Sequence, residues 1–125
     1  MSPAPAQNPT PNDIARWLAE LARQLDLKVI EFANLSDEAA GTRRDAEVAF
    51  ARAFLNAEGA MDTRRQVAML QAADKRFGAD IAERKVAACK EAIRALHLKI
   101  DVGRTASANV RAELAALGTT AGSTP

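Results

Sequence analysis

The chain has 125 residues, 48% of them apolar and only 4% aromatic, with 17 basic and 16 acidic side chains for a net charge of +1. That length suits one domain whose core is of real size only if its elements pack compactly. No run approaches the roughly 18 apolar residues of a membrane span, and a single cysteine, Cys89, excludes an internal disulfide.

Residues 2–11 are proline-rich and are expected to stay extended or disordered as a lead over 1–11. The N-terminus has neither a basic patch nor an apolar core, so no signal peptide is expected and the cytoplasm is the default location. Asn12 or Asp13 is placed to cap a first helix, with Pro11 just outside it. Ile14, Trp17, Leu18, Leu21, Leu25 and Phe32 form its apolar face. Leu27 to Phe32 resembles a short strand, but a strand without a partner is untenable, so the segment is read as helix to about Asn34. Ser36 is the next cap, with Asp37 and Glu38 in the first turn, and Thr42 offers a second start after Gly41. This helix carries Val48, Ala51, Phe54 and Leu55 inward and stops near Gly59. From Asp62 the helical pattern resumes through Val67, Leu70, Phe77 and Ile81, weakened at Gly78.

The strongest signal is a seven-residue ladder in the last third of the chain. One rail is Val86, Ile93, Ile100, Ser107 and Leu114; the other is Cys89, Leu96, Gly103, Val110 and Leu117. Steps of three and four residues put both rails on one stripe of a helix, the seam of a coiled coil or narrow bundle. A helix from Asp80 to Leu117 is about 57 Å long and cannot bury such a stripe alone. Val86, Cys89, Ile93, Leu96, Ile100, Val110, Leu114 and Leu117 are therefore the expected helix or oligomer seam, and a homo-oligomer is the expected state. Small Gly103 and Ser107 either admit a neighbouring helix closely or form a hinge. The step of five from Ile81 to Val86 predicts a change of seam phase, in one kinked helix or between two. Residues 118–125 form a small polar tail expected to be disordered. The fold class that follows is all-α: an elongated bundle of three or four helices over 12–117. Their expected extents are about 13–33, about 37–58 and a long single or divided helix over 61–117. The first should fold back on the last, with Trp17 and Leu21 near the seam.

Charge is unevenly spread. Residues 1–50 carry five basic and eight acidic side chains, and residues 51–125 carry twelve and eight. The seam of the last helix is flanked by Lys85, Lys90, His97, Lys99, Arg104 and Arg111, with Glu113 the one acid. A parallel copy would repel itself, so an acidic neighbour is expected: the first helix with Glu20, Asp26 and Glu31, an acidic protein, or a nucleic-acid backbone. Four basic doublets, Arg43-Arg44, Arg64-Arg65, Lys75-Arg76 and Arg84-Lys85, are spaced to meet adjacent phosphates or to serve as solvated helix faces. The phenylalanines sit at core spacing, so any binding of single strands would be mainly electrostatic rather than by stacking.

No catalytic chemistry is expected. His97 is the one histidine, without a second ligand at metal spacing. There is no glycine-rich phosphate loop and no nucleophile elbow, and neither metal nor cofactor is implied.

The segment from Arg84 to Arg104 resembles the C-terminal half of small helical bacteriophage proteins, in which a Lys-x-x-Glu-Ala-x-x-x-Leu helix precedes a basic turn, and over residues 45–115 the chain is similar to UvsY-like recombination mediators. The resemblance implies an all-helical ring-forming protein that binds single-stranded DNA and helps load a recombinase. On that reading Arg64, Arg65, Lys75, Arg76, Arg84 and Lys85 are the first candidates for DNA contact. Three functions are carried forward, in order: a DNA-binding accessory protein for recombination or replication, a structural assembly or adaptor protein, and an inhibitor that lays its long helix in a partner's groove.

Overall fold

The computed structural model describes residues 8–122, and side chains through Gly118. It is all-helical, with two helices among the described residues: α1, Pro11–Asn56, and α2, Met61–Gly122. The expected divisions of the first half are absent. Ser36 and Thr42 start no new helix because the seven-residue pattern of inward positions runs unbroken through Phe32, Leu35, Ala39, Thr42 and Ala46. One glycine, Gly41, costs a helix only about 1 kcal/mol, too little to break it. Thr42 satisfies its hydroxyl locally, donating to the Ala39 carbonyl at 3.1 Å.

α1 begins two or three residues earlier than the sequence suggests. Thr10 is the cap, Pro11 takes the first helical position, and the amide of Thr10 donates to Asp13 Oδ2 at 3.1 Å while that of Asp13 donates to Thr10 Oγ1 at 3.2 Å. This reciprocal pair satisfies two amides that the helix leaves over. The hydrogen bonds from Thr10 hold the Asp13 carboxyl below its ordinary range. Most of the predicted disordered lead, residues 1–7, lies outside the described residues, as does the end of the tail, 123–125; from Gly118 to Gly122 the chain continues α2.

The two helices are shared between two compact units. The turn unit, Ile30–Glu91, contains the end of α1, the connection and the start of α2; the terminal unit combines the chain up to Val29 with the chain from Ala92.

In the turn unit the chain reverses over residues 57–60. Gly59 has φ +106°, a conformation that side-chain-bearing residues rarely adopt. The carbonyl of Ala60 accepts the first α2 bond, from the amide of Arg64 at 3.0 Å. Arg64 then closes the reversal. Its Nη2 donates to the Phe54 carbonyl at 3.2 Å and its guanidinium lies 4.8 Å from the Phe54 ring centroid. One cation thus meets an orphan carbonyl at the negative end of α1 and covers an aromatic face. Further along, Arg43 bridges the helices to Asp80 at 2.8 Å and Glu83 at 2.9 Å.

The most deeply buried positions of this unit are mainly alanines, flanked by half-buried Phe32, Leu35, Val67 and Val86. Ala39, Ala46 and Ala53 are buried on α1, and Ala68, Ala72, Ala79 and Ala82 on α2, followed by Cys89. With two helices present, each buried alanine is covered by the opposite helix. Side chains this small let the axes approach toward the low end of about 8–10 Å. The seam therefore enters α2 through Ala79 and Ala82, in phase with Val86, and the predicted phase shift does not occur. It followed from taking Ile81 as inward, whereas Ile81 is 36% exposed. Val48, Leu55, Leu70 and Phe77, also expected inside, are exposed because alanines occupy the seam and these larger residues lie outside it; Ala51, expected inside, lies off the Ala46–Ala53 seam and is exposed too.

The terminal unit packs large against small. Ile14 and Leu21 are fully buried, and Leu96 and Gly103 are buried opposite them on α2. A Cβ at Gly103 would lie 2.5 Å from Leu18 Cδ2 and 3.0 Å from Trp17 Cζ3, so the missing side chain makes room for these two. The first helix does fold back on the last beside Trp17, and Gly103 serves close approach. Stepping back from the Leu18–Gly103 layer by one heptad brings Pro11 level with Val110. α2 runs on past that level, and the predicted seam residues Leu114 and Leu117 are exposed.

Candidate interaction surfaces

The six cations expected to contact DNA have different surroundings. Arg64 is half-buried in the reversal, as described, and its Nε is shielded without an acceptor. Arg76 lies 4.5 Å over the Phe50 ring, and Phe50 in turn stacks near Phe54 at 6.4 Å between centroids. Both arginines extend along α1 and cover aromatic surface that the alanine seam leaves over. Arg65 is exposed and sits 3.5 Å from Asp62 on its own helix. Arg84 and Lys85 are exposed.

Lys75 has a more distinctive setting. It occupies the seam position between Ala72 and Ala79 but turns outward, and an open depression of about 430 Å³ lies between it and Arg44, Asp45, Val48, Ala49 and Arg52 of α1. Three cations and one acid line this hollow. Arg52 was not singled out by the sequence, yet Arg44, Val48 and Arg52 are spaced four apart and so share one helix face.

The second surface is apolar. On α2 the seam positions are 72, 79, 82, 86 and 89, and the stripe on the opposite side of the helix carries Leu70, Phe77 and Ile81 within the turn unit. Leu70 is 79% and Phe77 62% exposed. In the terminal unit Leu98 and Val102 hold the same outer position and are also exposed. α1 adds Leu27, Ile30, Val48 and Leu55 on its outer side. In each unit α2 is thus apolar on two faces, of which packing against α1 uses one. The signal was in the sequence as a second set of four-and-three steps, masked because the leucines and phenylalanines were assigned inward.

Cys89 is buried and His97 exposed. Among the described residues no three of His, Cys, Asp and Glu gather where they would hold a metal ion, and no helix is long and apolar enough to cross a membrane. Comparison of the chain with protein-family models, curated proteins and solved structures finds no match.

Proposed function

We propose that the chain is a non-enzymatic helical assembly protein of the cytoplasm, acting as an oligomer whose copies meet through the outer face of α2. The observation that supports this is the set of exposed large side chains Leu70, Phe77 and Ile81 opposite the seam of the turn unit. Within the chain the turn unit buries mainly alanine, each contributing little transfer energy. Covering Phe77 or Leu70 would add more apolar burial than one of those alanines supplies.

A second reading, a single-stranded-DNA accessory protein similar to the UvsY-like mediators, is favoured by the hollow between Arg44, Arg52 and Lys75. Because Arg64 and Arg76 cover phenylalanine rings, binding would fall to these three cations with Arg84 and Lys85. Size-exclusion chromatography with light scattering, with and without a fluorescent single-stranded oligonucleotide at low and high salt, separates the two. Assembly predicts a mass above the 13.3 kDa of one chain under every condition. Co-elution of the oligonucleotide at low salt and its release at high salt would establish the DNA reading. A monomer at all concentrations would refute the assembly.

A further inference from the structure

We infer that the outer face of α2 in the turn unit is covered by a second copy of this chain, docked antiparallel about a twofold axis level with Ala79. The inference rests on the self-assembly reading and adds partner, direction and register. The stripe reads Leu70, Asp74, Phe77, Ile81, Arg84, Ala88 in steps of four and three. It is complementary to its own reversal. Mirrored about position 79, Phe77 meets Ile81, Asp74 meets Arg84, and Leu70 meets Ala88, each pair occurring twice. A twofold interface requires such self-matching. A parallel copy in register would instead set Asp74 against Asp74 and Arg84 against Arg84.

The surroundings agree. Asp74 and Arg84 are exposed, and neither forms a salt bridge or side-chain hydrogen bond among the described residues. The two opposite charges are therefore available for a partner. Beside the stripe, Ala73 would lie against Ala87, and Gly78 against its own copy near the axis. A Cβ at Gly78 would have nothing within 4 Å, so no contact inside the chain uses its smallness, whereas a helix crossing at the axis would. Asp80 approaches its own copy on the other flank, where Arg43, 2.8 Å away, already compensates it.

The register has a test that reversal of single charges makes specific. In Asp74→Arg the stripe holds two cations, and in Arg84→Asp two anions, so each variant repels its own copy. Mixed together, every cation meets an anion. Mass is measured by sedimentation over a concentration series at low ionic strength, with circular dichroism to verify that the helices persist. We expect wild type to self-associate, each variant to do so at least about tenfold more weakly, and the equimolar mixture to recover association. The double variant Asp74→Arg/Arg84→Asp should self-associate like wild type. Monomeric wild type would overturn this inference and the self-assembly reading together. Oligomeric wild type with undiminished single variants, or a mixture that fails to recover, would overturn the register alone.

Discussion

Gly103 and Gly41 are both interior helical glycines, and replacing each with alanine should move stability in opposite directions. Alanine is favoured over glycine in a helix by about 1 kcal/mol, and this term is common to both sites. At Gly41 nothing lies within 4 Å of the new Cβ, so the gain stands. At Gly103 the methyl would sit 2.5 Å from Leu18 Cδ2, 3.2 Å from Leu18 Cγ and 3.0 Å from Trp17 Cζ3. Rotating the end of Leu18 relieves the first contact but leaves the Trp17 ring at 3.0 Å, so the ring or the helix must shift by a few tenths of an ångström. Such overpacking costs about 1–3 kcal/mol. The two variants should then differ by about 1–3 kcal/mol, the shared propensity having cancelled. Urea unfolding at fixed protein concentration, followed by far-ultraviolet circular dichroism, measures both. Fluorescence of Trp17, the one tryptophan, reports the same site locally and should shift only in Gly103→Ala. Adding Leu18→Ala to Gly103→Ala should recover part of the loss. Equal stabilisation by both alanines would refute the close approach at Gly103.

Removing Arg64 with Arg64→Ala should destabilise the turn unit by about 1–2 kcal/mol, through the lost Phe54 carbonyl bond and ring contact; Arg65→Ala, on an exposed neighbour, should leave the melting midpoint nearly unchanged. Ala46→Leu places a large side chain in a seam where Ala46 is 1% exposed, and should cost about 1–3 kcal/mol or force a new helix register, read as a lowered urea midpoint. Acid should fray the start of α1. Asp13 is held below its ordinary range by Thr10, and Glu20 is lowered to about 2 by hydrogen bonds from Arg23 and Gln24. Both carboxylates are lowered on folding, so their contribution is complete above the ordinary carboxylate range and fades as pH falls toward their folded values. Thr10→Ala removes the cap, costs about 1 kcal/mol at neutral pH and should flatten the acid dependence of helicity in the first turns, measured by amide hydrogen exchange against pH.

The parts of this architecture that were legible in the sequence are those written in large side chains. Ile93, Leu96 and Ile100 on one helix and Leu18, Leu21 and Leu25 on the other announce a seam because their period is seven and their size is unambiguous. Gly59 announces the reversal because an acidic, small-residue junction interrupts both patterns there. The turn unit was misread because its seam is alanine, a residue that signals helix everywhere and burial nowhere. Ala39, Ala46 and Ala53 recur every seven residues, but Val48, Leu55, Leu70 and Phe77 compete with them for the inward assignment on hydrophobicity alone. Close packing decides otherwise: two helices can approach over alanines, and the gain in backbone contact places the large residues outside. The basic doublets were misleading for a related reason. Arg64 and Arg76 are long enough to lie along α1, so adjacency in sequence does not become a pair of outward charges. The arginine that joins Lys75 and Arg44 around the hollow, Arg52, stands alone in the sequence and shows only as a step of eight from Arg44.

If the face of α2 opposite the seam holds copies of the chain together, Phe77→Glu should separate them. Phe77 is 62% exposed in the single chain, so a carboxylate there leaves the hairpin intact but is excluded from a buried apolar interface. Light-scattering mass and helicity, compared with wild type at equal concentration, give the answer. Wild type should be oligomeric and the variant a single chain of about 13.3 kDa that keeps its helicity. Identical masses for the two proteins would contradict this.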